Sequence, residues 1–485
     1  MNANRIWAYG VVGFFLLLLL IDGIAVQIHG AVWLPPVLGL IFLVFGTWRL
    51  RLGLPSRMAG LGLLLLVSGV VLLGLQLVPL PPALWSLLPG RQFVQEALTA
   101  SGASPGWMPL SLSPQGTRAA LLSLIPAIAL FVVGLTLSPV DRRFVALGLL
   151  VIAVASVLLG LAQKFNGAGN SFSFFEEYSG SVTGAFANRN FFAAQLYTSI
   201  PFLAALAIAW VRQREANRLV IAVFAFIYLV VVIAGLGATG SRAGTALAMA
   251  AVLVSGLLLW GKSRVHPASP PASRLAAFGL FAILFLVAQL SLVGVMRIAE
   301  TDPVNDYRTV IYAVSLHALG DFFPAGSGFG SFVPIYALYE TPATMLDNYV
   351  NHAHNDWLEL ALEGGLPIVL LLAAFLVWFV LTAVGLWRMG SHDPESLIPR
   401  AAALAAGLLM LHSLVDYPLR TRALMGLFAL CCGLMASGLK SSVANQRRRA
   451  SEGQVSAAPE ISPAPIGERR KGPYFVPKSG SKPTG

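Results

Sequence analysis

Residues 218–260 read RLVIAVFAFIYLVVVIAGLGATGSRAGTALAMAAVLVSGLLLW. Two apolar windows, 219–239 and 243–260, flank a short polar turn that contains Ser241 and Arg242. A helix needs about 20 mainly apolar residues to cross a bilayer. This stretch therefore predicts two membrane helices joined by a tight turn that carries an arginine.

The composition of the whole chain agrees with this stretch. Of its 485 residues, 57% are hydrophobic and 11% are charged, and the mean hydropathy is +0.76. An ordinary soluble domain carries about 25% charged residues, so this much apolar surface requires a bilayer. The adjacent Cys431 and Cys432 exclude a disulfide framework. The net charge of +11 comes mainly from short loops and the C-terminal tail, which indicates membrane topology rather than nucleic-acid binding.

Apolar windows of this length predict an all-α, polytopic integral membrane protein with about twelve transmembrane helices. The predicted spans are 7–27, 31–48, 58–80, 118–138, 144–163, 191–211, 219–239, 243–260, 275–295, 365–387, 401–418 and 423–439. Lys and Arg collect in alternate loops, for example at Arg49, Arg142, Arg212, Lys262 and Arg388. Such loops face the cytoplasm, so both termini are predicted to be cytoplasmic.

The predicted topology divides the chain into three parts. They are the N-terminal helices (1–170), a membrane core (171–440) with a large periplasmic loop (296–355), and a basic tail (441–485). Two further long outer segments are 81–117 and 164–190. The tail has few large apolar groups, so we expect it to be disordered and to lie near anionic lipid head groups in the cytoplasm.

Polar residues near membrane depth are costly and need an explanation. Five polar clusters fall on the predicted outer side, at 184–190, 237–244, 306–308 with 324–330, 352–356 and 412–420. Arg242 in the second cluster is read in two ways. A lone arginine at an interface often extends to lipid phosphates, whereas its small neighbours Gly240, Ala243 and Gly244 leave room for a bound phosphate, which arginine holds through two parallel hydrogen bonds.

Arg308 and the glycine-rich turn that follows it have similar alternatives. Arg308 either pairs with Asp302 or Asp306 or serves as a second arginine for the same anion. It lies in a segment that reads as amphipathic, with Val310, Ile311, Val314 and Leu316 as its apolar positions. The turn at 326–330 could hold a phosphate through backbone N–H groups, although it matches neither a Walker loop nor the full dinucleotide fingerprint.

The fourth cluster contains His352 and His354. They are two positions apart, whereas two histidines on one helical face would be four positions apart, so a metal site is disfavoured. A single histidine as the proton-transfer group fits better, because its ordinary pKa of about 6.5 suits a general base near neutral pH. Asn355 and Asp356 either orient the ring or cap the following helix.

Taken in order, these clusters resemble the O-antigen ligase and O-antigen polymerase superfamily of bacterial inner-membrane glycosyltransferases, over roughly residues 180–440. The matching positions are Asn188-Arg189-Asn190, Ser241-Arg242-Ala243-Gly244, Arg308 and the glycine-rich turn. Most specific is His354-Asn355, followed after nine residues by Gly365, which is similar to the histidine motif of the ligases. Ile368 stands where that motif has a second glycine, so the resemblance is to the superfamily rather than to the lipopolysaccharide-ligase branch.

The resemblance implies a GT-C-like fold, a glycan donor on undecaprenyl pyrophosphate, and a glycan or lipid A-core acceptor, with neither cofactor nor metal. It places Arg242 and Arg308 on the pyrophosphate and gives His354 the task of activating the acceptor hydroxyl. The remaining residues that it assigns to substrate binding are Arg189, Asn188, Ser241 and Asn355. The chemistry agrees, because arginines stabilise the charge on a leaving pyrophosphate and a neutral histidine can accept the hydroxyl proton.

Two other classes of function stay open at this point. A transporter or lipid flippase would also have about twelve spans, but it would carry internal repeats and intramembrane charges, which are scarce here apart from Asp22. A non-catalytic partner in polysaccharide export is the second alternative. Among the enzymes, a polymerase or a ligase ranks above a transferase to protein, because the tail is short and predicted to be cytoplasmic, and Ile368 favours the polymerase slightly.

Overall fold

The computed structural model describes residues 3–23, 33–51, 53–104, 106–165, 182–212, 217–259, 304–346, 349–389 and 394–439. The predicted span 275–295, the tail 441–485 and parts of the outer segments 164–190 and 296–355 lie outside the described residues. So does the predicted role of Asp302 as an ion-pair partner, and the side chains of Asp22 and Asp306 are not described either.

The described chain is almost entirely helical. Its α-helices are α1 (Ala3–Gly23), α2 (Leu34–Leu50), α3 (Arg57–Leu75), α4 (Pro82–Trp85), α5 (Gln92–Ala100), α6 (Pro114–Thr136), α7 (Pro139–Phe165), α8 (Arg189–Val211), α9 (Arg218–Thr239), α10 (Arg242–Ser255), α11 (Val304–Phe322), α12 (Phe332–Tyr339), α13 (Asp356–Arg388), α14 (Leu397–His412) and α15 (Arg422–Ser437). Short 3₁₀ turns follow at Gly256–Leu259, Pro394–Ser396 and Pro418–Arg420, and the two-residue strands β1 (Pro79–Leu80) and β2 (Met108–Pro109) pair antiparallel.

Six helices, α3, α6, α7, α8, α9 and α13, are long and apolar enough to cross a membrane, and five shorter apolar helices accompany them in the described ranges. Every predicted span except 275–295 falls on one of these helices. The chain is therefore an all-α membrane protein, as the sequence predicts.

Several predicted spans differ from the helices at their ends, and α3, for example, ends at Leu75 rather than at residue 80. The span predicted at 365–387 begins earlier, at Asp356, because Asn355 caps the helix by accepting a hydrogen bond from the Leu358 N–H (3.1 Å). The span predicted at 401–418 ends at His412. The chain turns there, and the residues that follow bring the buried carboxylate of Asp416 to the helix ends.

The bundle is packed around α8. In its most apolar stretch of 18 residues, 89% of the residues are buried. It contacts α7, α9, α10 and α14. Beside it, α6 and α15 approach closely at Gly134 and Gly433, where a Cβ would meet the backbone of the facing helix. Small residues permit such approach where no hydrophobic effect drives association. By contrast, α3 and α13 bury only 17% of their windows, so these two helices lie at the outside of the bundle.

The ends of several helices meet at one place. Hydrogen bonds connect the start of α8 with the start of α10 and with the loop between α14 and α15. The start of α13 is bonded to the same loop, through the Asp356 N–H and the Ser413 carbonyl (2.9 Å). Above this meeting point, α11 contacts α13 and α12. The expected amphipathic pattern of α11 holds in part, since Ile311 and Val314 are buried whereas Leu316 is 56% exposed.

The first outer segment holds the glycine-rich turn in place. Arg91 is fully buried, and its guanidinium donates to the carbonyls of Leu110 (2.6 Å) and Gly326 (3.0 Å). Burial lowers the pKa of Arg91 to about 10. The segment 79–112 thus binds the glycine-rich turn next to α13 through the hydrogen bond from Arg91 to Gly326.

Candidate active site

The buried carboxylate of Asp416 lies where the helix ends meet. Its Oδ1 is 3.2 Å from Nδ1 of His354 and accepts a hydrogen bond from the Tyr417 N–H (3.0 Å). Its Oδ2 accepts from the side-chain amide of Asn190 (2.6 Å) and lies 3.7 Å from a guanidinium nitrogen of Arg308. The first, third, fourth and fifth polar clusters of the sequence therefore meet at one carboxylate.

This environment keeps Asp416 ionised. Burial opposes the charge, but the hydrogen bond from His354 and the nearby charges of His412, His354 and Arg308 outweigh it. The pKa of Asp416 is consequently lower than its ordinary value. A carboxylate that stays charged inside the protein can orient a histidine ring and stabilise its protonated form.

His354 is held in an unusual backbone conformation. Its φ angle is 51°, in the left-handed region that non-glycine residues seldom adopt. The Tyr312 hydroxyl donates to the His354 carbonyl (2.9 Å), and the ring meets Tyr417 edge-on with 4.9 Å between centroids. The side chain is 25% exposed, so the ring is partly accessible while its Nδ1 lies against Asp416.

The turn between α9 and α10 extends the network from Asp416. Gly240 takes the left-handed conformation (φ 62°) that the tight turn requires. The Ser241 hydroxyl donates to Oδ1 of Asn190 (2.7 Å) and accepts from the Gly244 N–H, which caps α10. Arg242 next to it is exposed and makes no hydrogen bond or ion pair within the described ranges. Its guanidinium is thus available to an anion.

The other predicted substrate-binding residues have structural contacts. Asn188 caps α8 by accepting from the Asn190 N–H (2.7 Å), and Asn355 caps α13. Arg189 begins α8 and is half-buried. Arg308 pairs with Asp416, a partner that the sequence did not indicate. The substrate-binding roles of these residues stay predictions.

A second charged cluster lies on the first turns of α13. Arg420 is close to three carboxylates, with nitrogen–oxygen distances of 3.7 Å to Asp356, 3.2 Å to Glu359 and 3.1 Å to Glu363. Burial opposes the charge of Arg420, but the three carboxylates outweigh it and raise its pKa. His352 belongs to this cluster, because its Nδ1 lies 2.9 Å from Glu359. We call these five residues the Arg420 cluster.

The two histidines of the fourth polar cluster therefore have different partners. Both rings contact Tyr417, at centroid distances of 4.4 Å for His352 and 4.9 Å for His354. However, His352 is directed at Glu359 and His354 at Asp416. In the described part of the chain, no group of three or more His, Cys, Asp and Glu side chains has the arrangement of a metal site.

The phosphate-cradle interpretation of the glycine-rich turn was wrong. The N–H groups of Gly328 and Gly330 donate to the carbonyl (2.9 Å) and the carboxylate (2.8 Å) of Glu363, and the Ser327 N–H donates to the Leu362 carbonyl (3.0 Å). The N–H groups that a phosphate would need are already bonded within the protein. The turn instead fixes α13 through the buried Glu363.

Gly365, the glycine of the histidine motif, kinks α13. Its φ and ψ are 60° and −159°, and a Cβ there would meet the carbonyl oxygen of Pro324. The next N–H, of Leu366, donates to that same carbonyl (2.8 Å). Ile368, where the ligases have a second glycine, is buried against Leu73 and Phe329. The kink therefore lies at Gly365, two residues before Pro367.

Sequence reasoning missed the roles of Asp416, Asn190 and the Arg420 cluster. Asp356, Glu359 and Glu363 recur at three- and four-residue spacing, which places them on one face of a helix. Three acids on one face of an apolar helix require a buried cation or solvent. That spacing could have predicted a partner such as Arg420.

Fold and site together define a polytopic α-helical membrane protein with a histidine–aspartate pair and two arginines at one end of its helices. Residues 227–373 match the family described as O-antigen ligase. The match over this part of the chain confirms the predicted likeness to the O-antigen ligase and polymerase family and supports a glycosyl-transferring role in surface-polysaccharide assembly. No curated protein matches the chain. Arg242, Arg308 and His354 lie inside the matched region, whereas Asn190 and Asp416 lie outside it.

Proposed function

We propose that the protein transfers a glycan from undecaprenyl pyrophosphate to an acceptor sugar hydroxyl at the periplasmic face of the bacterial inner membrane. The observation that carries this proposal is the contact between His354 and the buried Asp416, with Arg308 beside it. The contact joins a base and a cation from the matched region to an orienting carboxylate that lies outside it.

His354 is the general base in this proposal. Its Nδ1–H donates to Asp416, which leaves Nε2 unprotonated to accept the proton of the acceptor hydroxyl. The acceptor oxygen then bonds to the anomeric carbon of the donor sugar. The bond from that carbon to the pyrophosphate oxygen breaks, and the electron pair leaves with the pyrophosphate. The charge of Asp416 stabilises the imidazolium that forms, because the carboxylate is already ionised and in place.

Arg242 and Arg308 bind the leaving pyrophosphate. The exposed Arg242 has no protein partner within the described ranges, and Arg308 lies at ion-pair distance from Asp416 and is 29% exposed. Guanidinium groups match phosphate oxygens through paired hydrogen bonds. They offset the charge that develops as the glycosidic bond breaks, so the reaction proceeds without a metal ion.

The distribution of arginines supports a periplasmic site. The helices α8 and α13 begin at the site and end near Arg212 and Arg388, while α9 and α14 begin near Arg218 and Arg400 and return to it. Arginine-rich ends face the cytoplasm. The opposite ends, where the lipid-linked donor has its head group, carry His354 and Arg242.

Polymerisation of surface-polysaccharide repeats is favoured over ligation to lipid A-core. At position 368 the ligase motif has glycine, but here Ile368 fills a buried contact with Leu73 and Phe329. The Ile368 side chain therefore fills space that a glycine at this position would leave empty. The acceptor is then a second lipid-linked glycan.

The test uses purified protein in detergent with EDTA, a synthetic undecaprenyl-pyrophosphate oligosaccharide, and each candidate acceptor offered separately. We expect release of undecaprenyl pyrophosphate that needs both an acceptor and His354. His352→Ala is the matched control, since His352 contacts Glu359 rather than Asp416. The proposal fails if folded wild-type protein releases nothing with any acceptor, and equal release by His354→Ala refutes the assigned base.

A further inference from the structure

A cavity of about 390 Å³ lies between α3, α6, α13 and α15, and neither His354 nor Asp416 lines it. Most of its walls are aliphatic or aromatic, with Leu66, Val70, Leu124, Ile128, Phe131 and Leu372 among the lining residues. At the end near the start of α13 its lining is polar, from Asp356, Ser413 and Arg420. The cavity is therefore apolar along its length and charged at one end.

The few polar groups along the apolar length are already satisfied. The indole N–H groups of Trp357 and Trp378 donate to the carbonyls of Met410 (3.2 Å) and Met58 (2.8 Å). The Ser123 hydroxyl bonds to a carbonyl of its own helix (2.8 Å). Both indoles thus offer only their apolar rings to an occupant, and a hydrocarbon chain fits such a lining.

The length of the cavity matches one leaflet of a bilayer. Gly62 and Leu73 both line it on α3, and at 1.5 Å per residue they are about 16 Å apart along the helix. Half of a hydrocarbon core of about 30 Å is close to this length. A single acyl chain of a bilayer lipid therefore has the right reach.

The polar end contains one unsatisfied acceptor. Oδ2 of the buried Asp356 accepts from the Ser413 hydroxyl (2.7 Å) and the Leu419 N–H (3.2 Å). Oδ1 is buried without a hydrogen bond, and Nε of Arg420 is too distant from it at 3.7 Å. A buried carboxylate oxygen without a donor is costly, so this end of the cavity favours an occupant that donates a hydrogen bond.

Charge narrows the identity of that occupant. The Arg420 cluster has three carboxylates against one guanidinium and one histidine. Acidic side chains therefore predominate in the cluster. At the position directly against Oδ1 of Asp356, an ammonium group would donate the missing hydrogen bond and meet acidic side chains, whereas a phosphodiester group has no hydrogen to donate there.

We propose that this cavity binds one acyl chain of a bilayer lipid whose head group carries an ammonium, with the ammonium against Asp356. The site is separate from Arg242 and Arg308, which lie with the His354–Asp416 pair rather than on the cavity wall. This proposal does not depend on the glycosyl-transfer reaction, and lipid binding alone tests it.

The experiment places the purified protein in nanodiscs with a phosphatidylethanolamine that carries a photoreactive acyl chain. Parallel samples contain the same acyl chain on phosphatidylglycerol, or a photoreactive polyprenyl pyrophosphate. After irradiation, labelled peptides are identified by mass spectrometry. We expect the ethanolamine lipid to label residues 57–75 and 356–378 at least fivefold more than either of the other probes does.

Variants at Gly69 and Asp356 test the position. Gly69 lines the cavity, and a Cβ there would make only ordinary contact, 3.5 Å from Leu371. Gly69→Phe should therefore fill the cavity and lower the labelling at least fivefold, while Gly69→Ala leaves it unchanged. Val70→Phe replaces Gly69→Phe if the latter does not fold. Asp356→Asn should keep the labelling but remove the preference for the ammonium head group, since the new amide is itself a donor.

Three results would overturn the proposal. They are equal labelling in the wild type and the filled variants, stronger labelling by the polyprenyl pyrophosphate, and a head-group preference that persists in Asp356→Asn. The second result would assign the cavity to the tail of a pyrophosphate-linked lipid instead.

Discussion

Asp416→Asn is the sharpest perturbation of the His354–Asp416 pair, because it changes one charge and almost no volume. Oδ1 of Asp416 accepts from His354 and the Tyr417 N–H, and Oδ2 accepts from Asn190 at 2.6 Å. An asparagine has one oxygen and one NH₂ group. If the oxygen keeps the first two donors, the NH₂ faces the Asn190 amide donor; in the other orientation it faces the Tyr417 N–H.

Either orientation loses a buried hydrogen bond and the charge that stabilises a protonated His354. If the NH₂ faces the ring, it also favours the tautomer that protonates Nε2, which disables the base. An unsatisfied buried polar group costs about 1–3 kcal/mol, and loss of oriented general-base catalysis costs about 10²–10⁴ in rate. We therefore expect kcat to fall by about 10²–10⁴, or about 3–5 kcal/mol of transition-state stabilisation.

The assay is release of undecaprenyl pyrophosphate under saturating donor and acceptor. Asp321→Asn is the matched control, because Asp321 is 53% exposed on α11 and accepts a hydrogen bond from Tyr339. It should turn over like the wild type. The reasoning is refuted if Asp416→Asn is folded, as judged by gel filtration and thermal melting, and keeps a kcat within about threefold of the wild type.

The remaining predictions concern single groups around the same site. Arg242→Lys should lower kcat/KM at least tenfold, because an ammonium cannot reproduce bidentate phosphate contact; Arg218→Lys at the other end of α9 is the control, and wild-type turnover by Arg242→Lys contradicts the role. His354→Ala should abolish transfer while donor binding persists, and His352→Ala should keep at least a tenth of the turnover; equal and total loss in both would show that they act together. Gly365→Ala should lower the melting temperature, because alanine is strained at φ 60° and its Cβ would meet the Pro324 carbonyl; Gly320→Ala, with open space around its Cβ, should not, and equal melting of both variants would count against the kink. The pKa of Asp416 is lowered in the folded protein, so its ionised form stabilises the folded state above the unfolded pKa of about 3.9, and this stabilisation is lost as pH falls through the folded pKa. The difference in melting temperature between wild type and Asp416→Asn should therefore stay constant from about pH 7 to 5 and shrink only below about pH 4. A difference that disappears near pH 6 would exclude this assignment.

Hydropathy was enough to place the helices because each membrane span is a local property of about 20 residues. The turn at Gly240 and Arg242 was also predictable, since small residues and a charge interrupt two apolar windows there. The ends of α13 and α14 were not, because they depend on contacts between distant segments. Asp356 continues its helix beyond the apolar window through a bond to Ser413, which lies in another helix–loop junction.

The candidate site was predictable as a set of residues but not as an arrangement. The sequence placed His354, Arg242 and Arg308 on one side of the membrane, and the structure brings His354 and Arg308 to Asp416. Which carboxylate serves as the common partner is a tertiary property, since Asp416 is 62 residues from His354. The predicted phosphate site in the glycine-rich turn was wrong for the same reason. Nothing in the local sequence indicates that the N–H groups of this turn donate hydrogen bonds to Glu363.

The position of Asp416 also bears on how the protein is made. His354, Arg308 and Asn190 are all synthesised before Asp416, which lies between α14 and α15. A nascent chain that has inserted every helix up to α13 still lacks the carboxylate to which these groups bond. In the proposed mechanism the His354–Asp416 pair therefore forms only when α14 and the loop after it are in place, and a chain that stalls earlier in insertion lacks the proposed site.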